Sequence, residues 1–190
     1  FDTASTSTPA SDLPEIAGRA AQAGSACLIY TSGSTGQPKG VLIGHAGLVN
    51  HNRFAREFYG ITAADSQLQC SSMSFDLFLE EVLTVLTSGG KLVVASGKEA
   101  LSLQRLATLV DEHGLTALNL PTAHFHEIAA SGLHFASLRK VIVGGERLDP
   151  AKARDFLERN PLATLYNTYG PTETTIISTA AKVTLESLGP

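Results

Sequence analysis

Several residue types that would point to a particular class of protein are scarce in this sequence of 190 residues. It has no tryptophan and one methionine, and none of its apolar runs approaches the roughly 20 residues of a membrane-spanning helix. Its 14 Lys and Arg are outnumbered by 18 Asp and Glu, which gives a formal net charge of −4. Because broad nucleic-acid binding needs a basic face, we expect no nucleic acid and no membrane among its partners.

Cysteine is scarce as well, and this excludes a disulfide-rich secreted scaffold. Cys27 and Cys70 are the two cysteines, and each lies within a hydrophobic segment. This pattern predicts reduced, buried thiols and a cytoplasmic protein. What is present is ordinary for a globular domain, with 43% hydrophobic and 17% charged residues.

The order of the segments predicts the fold class. Residues 1–23 are rich in Ser, Thr and Pro and are interpreted as a linker or loop that leads into a domain over 24–190. From there, apolar runs predict strands over 26–31, 67–72, 91–96, 115–120, 138–144 and 163–169. Helical spacing alternates with them over 45–58, 76–88, 101–113, 121–131 and 149–160. The alternation predicts an α/β fold, with a largely parallel sheet and helices on both faces.

One loop stands out for its chemistry. The stretch "YTSGSTGQPKGV" (30–41) follows a predicted strand and combines four Ser or Thr hydroxyls with three glycines, one proline and one lysine. Glycines let a backbone approach a ligand closely, hydroxyl and N–H groups suit an anion, and Lys39 adds positive charge. The loop therefore predicts a phosphate site. It is not a P-loop, because Lys39 is followed by Gly40 rather than by Ser or Thr.

This loop closely resembles the phosphate-binding signature of the adenylate-forming superfamily, which includes acyl-CoA synthetases, luciferases and the amino-acid adenylation domains of non-ribosomal peptide synthetases. Three further segments resemble motifs of that superfamily and occur in its order: "SFDLFLEEV" (74–82), "VGGERL" (143–148) and "YNTYGPTETT" (166–175). The chain is identified as part of the large N-terminal lobe of such an enzyme, in the peptide-synthetase branch.

The resemblance implies a reaction that joins an amino acid to the α-phosphate of ATP, expels pyrophosphate and uses Mg²⁺. A carboxylate is already ionised at neutral pH, so no general base is needed. The obstacle is the approach of an anion to a polyanion, which calls for positioning and electrostatic stabilisation. The resemblance also implies thioester loading onto the phosphopantetheine of a carrier protein. The expected partners are carrier and condensation domains in the parent chain and an MbtH-like protein.

The resemblance further implies roles for individual residues toward the nucleotide. The β- and γ-phosphates would be wrapped by the loop residues Ser32, Gly33, Ser34, Thr35 and Gly36. Lys39 would neutralise these phosphates, Thr172 would reach the α-phosphate and Glu173 would hold Mg²⁺. Adenine would contact the flat backbone of Gly144 and Gly145, the ring of Tyr169 and the amide of Asn167. From the residues alone, Lys39 could equally be a solvated charge, and Glu173 a carboxylate at a helix N-terminus.

Asp76 distinguishes branches of the superfamily. The resemblance implies that this aspartate pairs with the α-ammonium group of an amino acid, which acyl and aryl acids lack. The alternative is a helix N-cap before Leu77. The family's pocket positions map onto the following residues, with Phe75 beside them: Asp76, Leu77, Glu80, Asn119, Ile142, Gly144, Thr168, Ile176 and Ile177.

Glu80 lies four residues after Asp76, so a helix would place both carboxylates on one face. Two carboxylates that face one cavity invite two cations, or else one of them must be protonated. The lining resembles that of domains for ornithine or N-hydroxyornithine, which predicts an ornithine-like substrate. The alternative is that Glu80 turns toward solvent or pairs with a protein cation and leaves an aliphatic pocket.

Two other functions remain open from the sequence: an acyl- or aryl-acid ligase, and a non-catalytic nucleotide-binding fragment. Complete adenylation domains are longer than this chain, and their C-terminal lobe carries a catalytic lysine. We therefore expect the 190 residues to be inactive by themselves.

Overall fold

The computed structural model of the protein describes residues 24–32, 37–95 and 102–189. The predicted linker (1–23) and four residues of the phosphate loop (33–36) lie outside the described residues. The strands are β1 (Ser25–Thr31), β2 (Lys39–Gly44), β3 (Ser66–Gln69), β4 (Lys91–Val94), β5 (Ala117–Pro121), β6 (Lys140–Gly144), β7 (Thr164–Tyr169) and β8 (Thr179–Val183). The helices are α1 (His45–Tyr59), α2 (Leu77–Leu86), α3 (Leu103–His113), α4 (Thr122–Ser131) and α5 (Pro150–Arg159), with a 3₁₀ helix at Thr172–Thr174.

Six strands form one sheet in the order β4-β3-β5-β6-β7-β8. All neighbours in it are parallel except β7 and β8, which are antiparallel. Strands β1 and β2 form a separate antiparallel hairpin, with Thr31 opposite Lys39. The prediction of an α/β fold with a largely parallel sheet is confirmed, although β2 and β8 were not predicted.

Helices cover both faces of the sheet because the side chains of each central strand alternate between two cores. On one face, helices α3, α4 and α5 pack through residues such as Leu106, Phe125 and Phe156 against the sheet. On the other face, α1 and α2 form a smaller core with Ala117, Ile142 and Tyr166 from β5, β6 and β7. The second face is the one that carries the candidate site.

A buried ion pair ties the beginning of β3 to β6. Lys140 Nζ lies 2.6 Å from Asp65 Oδ1, and Asp65 also accepts hydrogen bonds from Thr62 and Thr116. Burial alone would raise the pKa of Asp65, but the hydrogen bonds from Lys140, Thr62 and Thr116 lower it below its ordinary value. The pair thus joins the amino-terminal ends of two strands that are separated by β5 in the sheet.

No helix in the described part of the chain is both long and apolar enough to span a membrane.

Candidate functional site

A cavity of about 550 Å³ opens where β5, β6 and β7 end. Pro121, Gly144 and Thr168 are the register partners that form its floor across these three strands. Ligands of parallel sheets typically bind at the carboxyl ends of strands, so the position is that of a binding site. The lining comprises Cys70, Ser71, Ser72, Phe75, Asp76, Leu77, Pro121, Gly144, Gly145, Thr168, Gly170, Ile176 and Ile177.

The floor has little room for side chains, and this explains its glycines. A Cβ at Gly144 would lie 2.5 Å from Thr168 Oγ1 and 3.1 Å from the Thr168 carbonyl oxygen. A Cβ at Gly170 would lie 2.6 Å from three backbone atoms of the segment 176–178. Gly145 has a φ of +98°, a conformation that side chains disfavour. Gly144 and Gly170 thus let neighbouring segments pack closely, and of these three glycines only Gly145 leaves open space where a Cβ would lie.

Asp76 immediately precedes α2, as predicted, but it does not cap that helix. Its backbone is helical, with φ −65° and ψ −25°, and its side chain accepts no capping hydrogen bond. The half-buried carboxylate lines the cavity, and within the described ranges no hydrogen bond or ion pair engages it. Burial first, and then the charge of Asp76, raise the pKa of the Cys27 thiol on β1. Asp76 therefore brings an unneutralised negative charge to the site.

Glu81, which the sequence analysis did not select, holds the wall formed by the loop after β3. Its side chain is fully buried and accepts hydrogen bonds from the backbone N–H groups of Cys70 and Ser71. The Ser71 hydroxyl donates a further bond of 2.8 Å to Oε1. Burial raises the pKa of Glu81, although these hydrogen bonds act in the opposite direction. Glu81 thus fixes two lining residues, Cys70 and Ser71, without being part of the lining itself.

Glu80 lies below the cavity rather than on its lining. It is 2% exposed, and its Oε1 accepts a 2.7 Å hydrogen bond from Asn119 Nδ2. Its Oε2 lies 2.9 Å from Nε2 of His51 on α1, close enough for an ion pair but not aligned as a hydrogen bond. This is the alternative in which Glu80 pairs with a side chain of the protein. Ile142 is buried in the same layer, so Glu80, Asn119 and Ile142 are not part of the lining.

The other predicted pocket residues converge on the cavity. Phe75, Leu77, Thr168, Ile176 and Ile177 all line it together with Asp76 and Gly144. Ile176 has a φ of +71° and its neighbour Thr175 a φ of +64°, and this region is unusual for β-branched side chains. A strained backbone persists only where the surrounding structure holds it in place, and such positions are common at functional sites.

Of the predicted nucleotide residues that the structure describes, only the two glycines belong to the lining of the cavity. Lys39 is the exposed first residue of β2, and Ser32 is exposed after β1; residues 33–36 lie outside the described ranges. Tyr169 is 67% exposed at the end of β7, where Asn167 is half-buried. Gly144 and Gly145 belong to the lining.

Thr172 and Glu173 lie on the 3₁₀ helix that follows β7, and Glu173 is exposed. The described residues contain no cluster of three or more metal-ligating side chains. A single free carboxylate still fits Mg²⁺, because this cation usually takes one or two protein carboxylates and completes its shell with phosphate oxygens and water.

The sequence analysis missed several lining residues. Cys70, Ser71, Ser72, Pro121 and Gly170 contribute to the wall, yet they were not selected. Cys70 was interpreted as core; it is a free, half-buried thiol whose pKa is raised by burial and by Glu81. The available signal was positional, since each follows or ends a strand at the edge where ligands bind.

The family described as AMP-binding enzyme matches residues 2–189. The chain belongs to the AMP-binding enzyme family. Its relatives include surfactin synthase subunit 2 of Bacillus subtilis (strain 168), which is 36% identical over 165 residues. Tyrocidine synthase 3 of Brevibacillus parabrevis is 38% identical over 156 residues. These matches cover 84% and 81% of this AMP-binding chain, but only 5% and 2% of the respective relatives.

Solved structures agree with this assignment. The Vibrio cholerae adenylation domain AlmE, in complex with glycyl-adenosine-5'-phosphate, superimposes with a TM-score of 0.77 at 28% identity. The superposition covers 86% of this AMP-binding chain and 31% of AlmE. The Klebsiella oxytoca NpsA N-terminal subdomain, in complex with 3-hydroxyanthranilyl-AMSN, superimposes with a TM-score of 0.72 at 29% identity, covering 84% of this chain and 41% of NpsA. The chain therefore corresponds to part of the N-terminal portion of an adenylation domain.

Proposed function

We propose that the protein containing this chain activates an amino acid as its aminoacyl-adenylate, with release of pyrophosphate, for transfer to the phosphopantetheine of a carrier protein. One observation carries the proposal: the Asp76 carboxylate lines the cavity without a protein partner among the described residues. A half-buried carboxylate of this kind suits a cation, and the α-ammonium group supplies one. The likeness to AlmE, whose structure contains a glycyl-adenylate, and to two peptide synthases supports the same conclusion.

For the nucleotide, the proposal assigns adenine to Gly144, Gly145, Asn167 and Tyr169, and the phosphates to Ser32, residues 33–36, Lys39 and Thr172. Gly145 supports the adenine assignment, because it lines the cavity and leaves open space where a Cβ would lie, so that a planar ring can approach the backbone. Glu173 would hold Mg²⁺, which offsets phosphate charge when bound. The chain itself supplies positioning and positive charge, with Lys39 placed at the base of the phosphate loop.

The side chain of the amino acid has two candidates. An ornithine-like substrate, as expected from the sequence, is supported by Glu80, a second carboxylate one helical turn beyond Asp76. An aliphatic substrate is supported by the contact between Glu80 and His51, because the lining then offers the aliphatic side chains of Leu77, Ile176 and Ile177 to the substrate.

An aryl-acid substrate is a further alternative, because NpsA is solved with a 3-hydroxyanthranilyl ligand. Such an acid would leave Asp76 without a cation. A non-catalytic nucleotide-binding fragment is the remaining alternative.

Amino-acid-dependent exchange between ATP and pyrophosphate tests the proposal, in the adenylation domain that contains this chain. The panel is ornithine, N-hydroxyornithine, lysine, norvaline, leucine and an aryl acid. Exchange that peaks at an amino acid is expected, and exchange with the aryl acid alone would overturn the proposal. The 190 residues assayed alone serve as a comparison, because their expected inactivity remains a prediction. The cytoplasmic location, the carrier and condensation domains and the MbtH-like partner also remain predictions.

A further inference from the structure

A group of buried polar side chains lies directly beneath the cavity floor. Asn119 precedes the floor residue Pro121 by two positions on β5, so both side chains are on the same face of the sheet. Its amide donates to Glu80 Oε1 at 2.7 Å, and His51 Nε2 lies 2.9 Å from Glu80 Oε2. The side chains of His51 and Glu80 are 5% and 2% exposed.

Asn119 therefore satisfies Oε1 of Glu80, whereas Oε2 has His51 within ion-pair distance but accepts no hydrogen bond among the described residues. Burying a carboxylate is costly unless a partner compensates it, and within the described ranges His51 is the one basic side chain at ion-pair distance from Glu80. The hydroxyl of Tyr59 lies in the same layer without a hydrogen-bond partner there, and its pKa is raised by burial and then by the charge of Glu80. The charge of Glu80 therefore acts on the neighbouring hydroxyl of Tyr59.

The contact between His51 and Glu80 links two helices, α1 and α2, that are separated in the chain by β3. His51 is on α1 and Glu80 is on α2, and these helices pack side by side on the face of the sheet that carries the cavity. The position of the carboxylate thus depends on α1, which contributes no residue to the lining.

We propose that His51 is a specificity-determining positioning residue, which holds Glu80 against α1 through the contact between Nε2 and Oε2, so that a positively charged substrate side chain must compete with His51 for that carboxylate. The inference rests on the proposed amino-acid activation. Asp76 remains available to the α-ammonium group, whereas Glu80 becomes fully available to a side-chain amine only when His51 is replaced. A purely structural role for His51 would instead affect all substrates equally.

The test compares ornithine with norvaline, which has the same five-carbon chain without the terminal amine. In the adenylation domain that contains this chain, the ratio of kcat/KM for ornithine to that for norvaline is measured by ATP–pyrophosphate exchange. We expect His51→Leu to raise the ratio at least tenfold, and the double change His51→Leu with Glu80→Gln to abolish the rise. His51→Gln, which keeps a polar side chain of similar length, provides a second variant if the leucine variant does not fold.

His124→Leu is the matched control. His124 is also a buried histidine without a hydrogen-bond partner in the described part of the chain, but it lies on α4. Its replacement is expected to leave the ratio unchanged. An unchanged or lower ratio in both His51 variants would overturn the inference while leaving the proposed function intact. Failure of the unmutated enzyme to exchange with any amino acid would overturn the proposed function and this inference with it.

Discussion

Replacing Gly144 by alanine tests the close approach of β6 and β7 that shapes the cavity floor. The new Cβ would lie 2.5 Å from Thr168 Oγ1 and 3.1 Å from the Thr168 carbonyl oxygen. The carbonyl cannot retreat easily, because Gly144 and Thr168 are register partners in the sheet. The hydroxyl can rotate away, but it then loses its 3.0 Å hydrogen bond to the Val143 carbonyl oxygen.

These contacts set the expected magnitude. Overpacking in a well-packed region costs about 1–3 kcal/mol. Loss of a typical hydrogen bond costs about 1 kcal/mol more. We therefore expect Gly144→Ala to lower the free energy of unfolding by roughly 2–4 kcal/mol, measured by urea denaturation.

Thr168→Ala provides the control, because it removes the hydroxyl that the new methyl group meets first. In a double-mutant cycle, the penalty of the alanine at position 144 should shrink by about 1 kcal/mol or more when position 168 is alanine. If Gly144→Ala costs less than about 0.5 kcal/mol, which is the range of ordinary surface substitutions, the close approach described here is wrong.

Two further predictions concern pH and the buried charges around the sheet. Burial raises the pKa of Glu81 above its ordinary value of 4.5, so the folded state binds this proton more tightly than the unfolded state does. The free energy of unfolding should therefore fall as pH rises from about 4.5 through the raised pKa. Urea denaturation between pH 4.5 and 7 should show this decrease of stability with pH in the unmodified chain and not in Glu81→Gln. Equal pH dependence in both would contradict the prediction. The pKa of Asp65 is lowered, so its contribution is present above 3.8 and is lost as pH falls through the lowered pKa. Lys140→Met should cost about 3 kcal/mol at pH 7 and weaken that acid dependence, whereas an effect below about 1 kcal/mol would argue against a structural ion pair.

Much of the fold could be predicted because its signals are local. The helix at His45–Tyr59 shows the helical spacing and ends at Gly60, which adopts the left-handed conformation typical of a helix C-terminus. The strands β2 and β8 were missed for different reasons. In "KGVLIG", two glycines weaken the strand pattern, and pairing with β1 decides the outcome. In "TAAKV" (Thr179–Val183), the pattern of short polar and apolar residues is weak, and antiparallel pairing with β7 makes the segment a strand.

The site was predictable as far as the order of its motifs allowed. Phe75, Asp76 and Leu77 line the cavity as expected, because they follow the edge of a parallel sheet at the beginning of a helix. Glu80 could not be placed in this way. Its spacing from Asp76 predicts a shared helix face, but the contact with His51 joins residues that are distant in sequence. Glu81 was missed for the same reason, since only the fold brings it against the loop at Cys70 and Ser71.

Asp76→Asn tests whether the Asp76 carboxylate receives the α-ammonium group of an amino acid. The substitution keeps the size of the side chain and removes its charge, so the substrate cation would lose its partner, a loss of about 2–5 kcal/mol for a desolvated charge pair. In the adenylation domain that contains this chain, kcat/KM for the preferred amino acid in ATP–pyrophosphate exchange should fall by about 100-fold or more. Exchange with the corresponding acid that lacks the α-amino group should not fall. Equal exchange of the amino acid by Asp76→Asn and the unmodified enzyme would contradict the account.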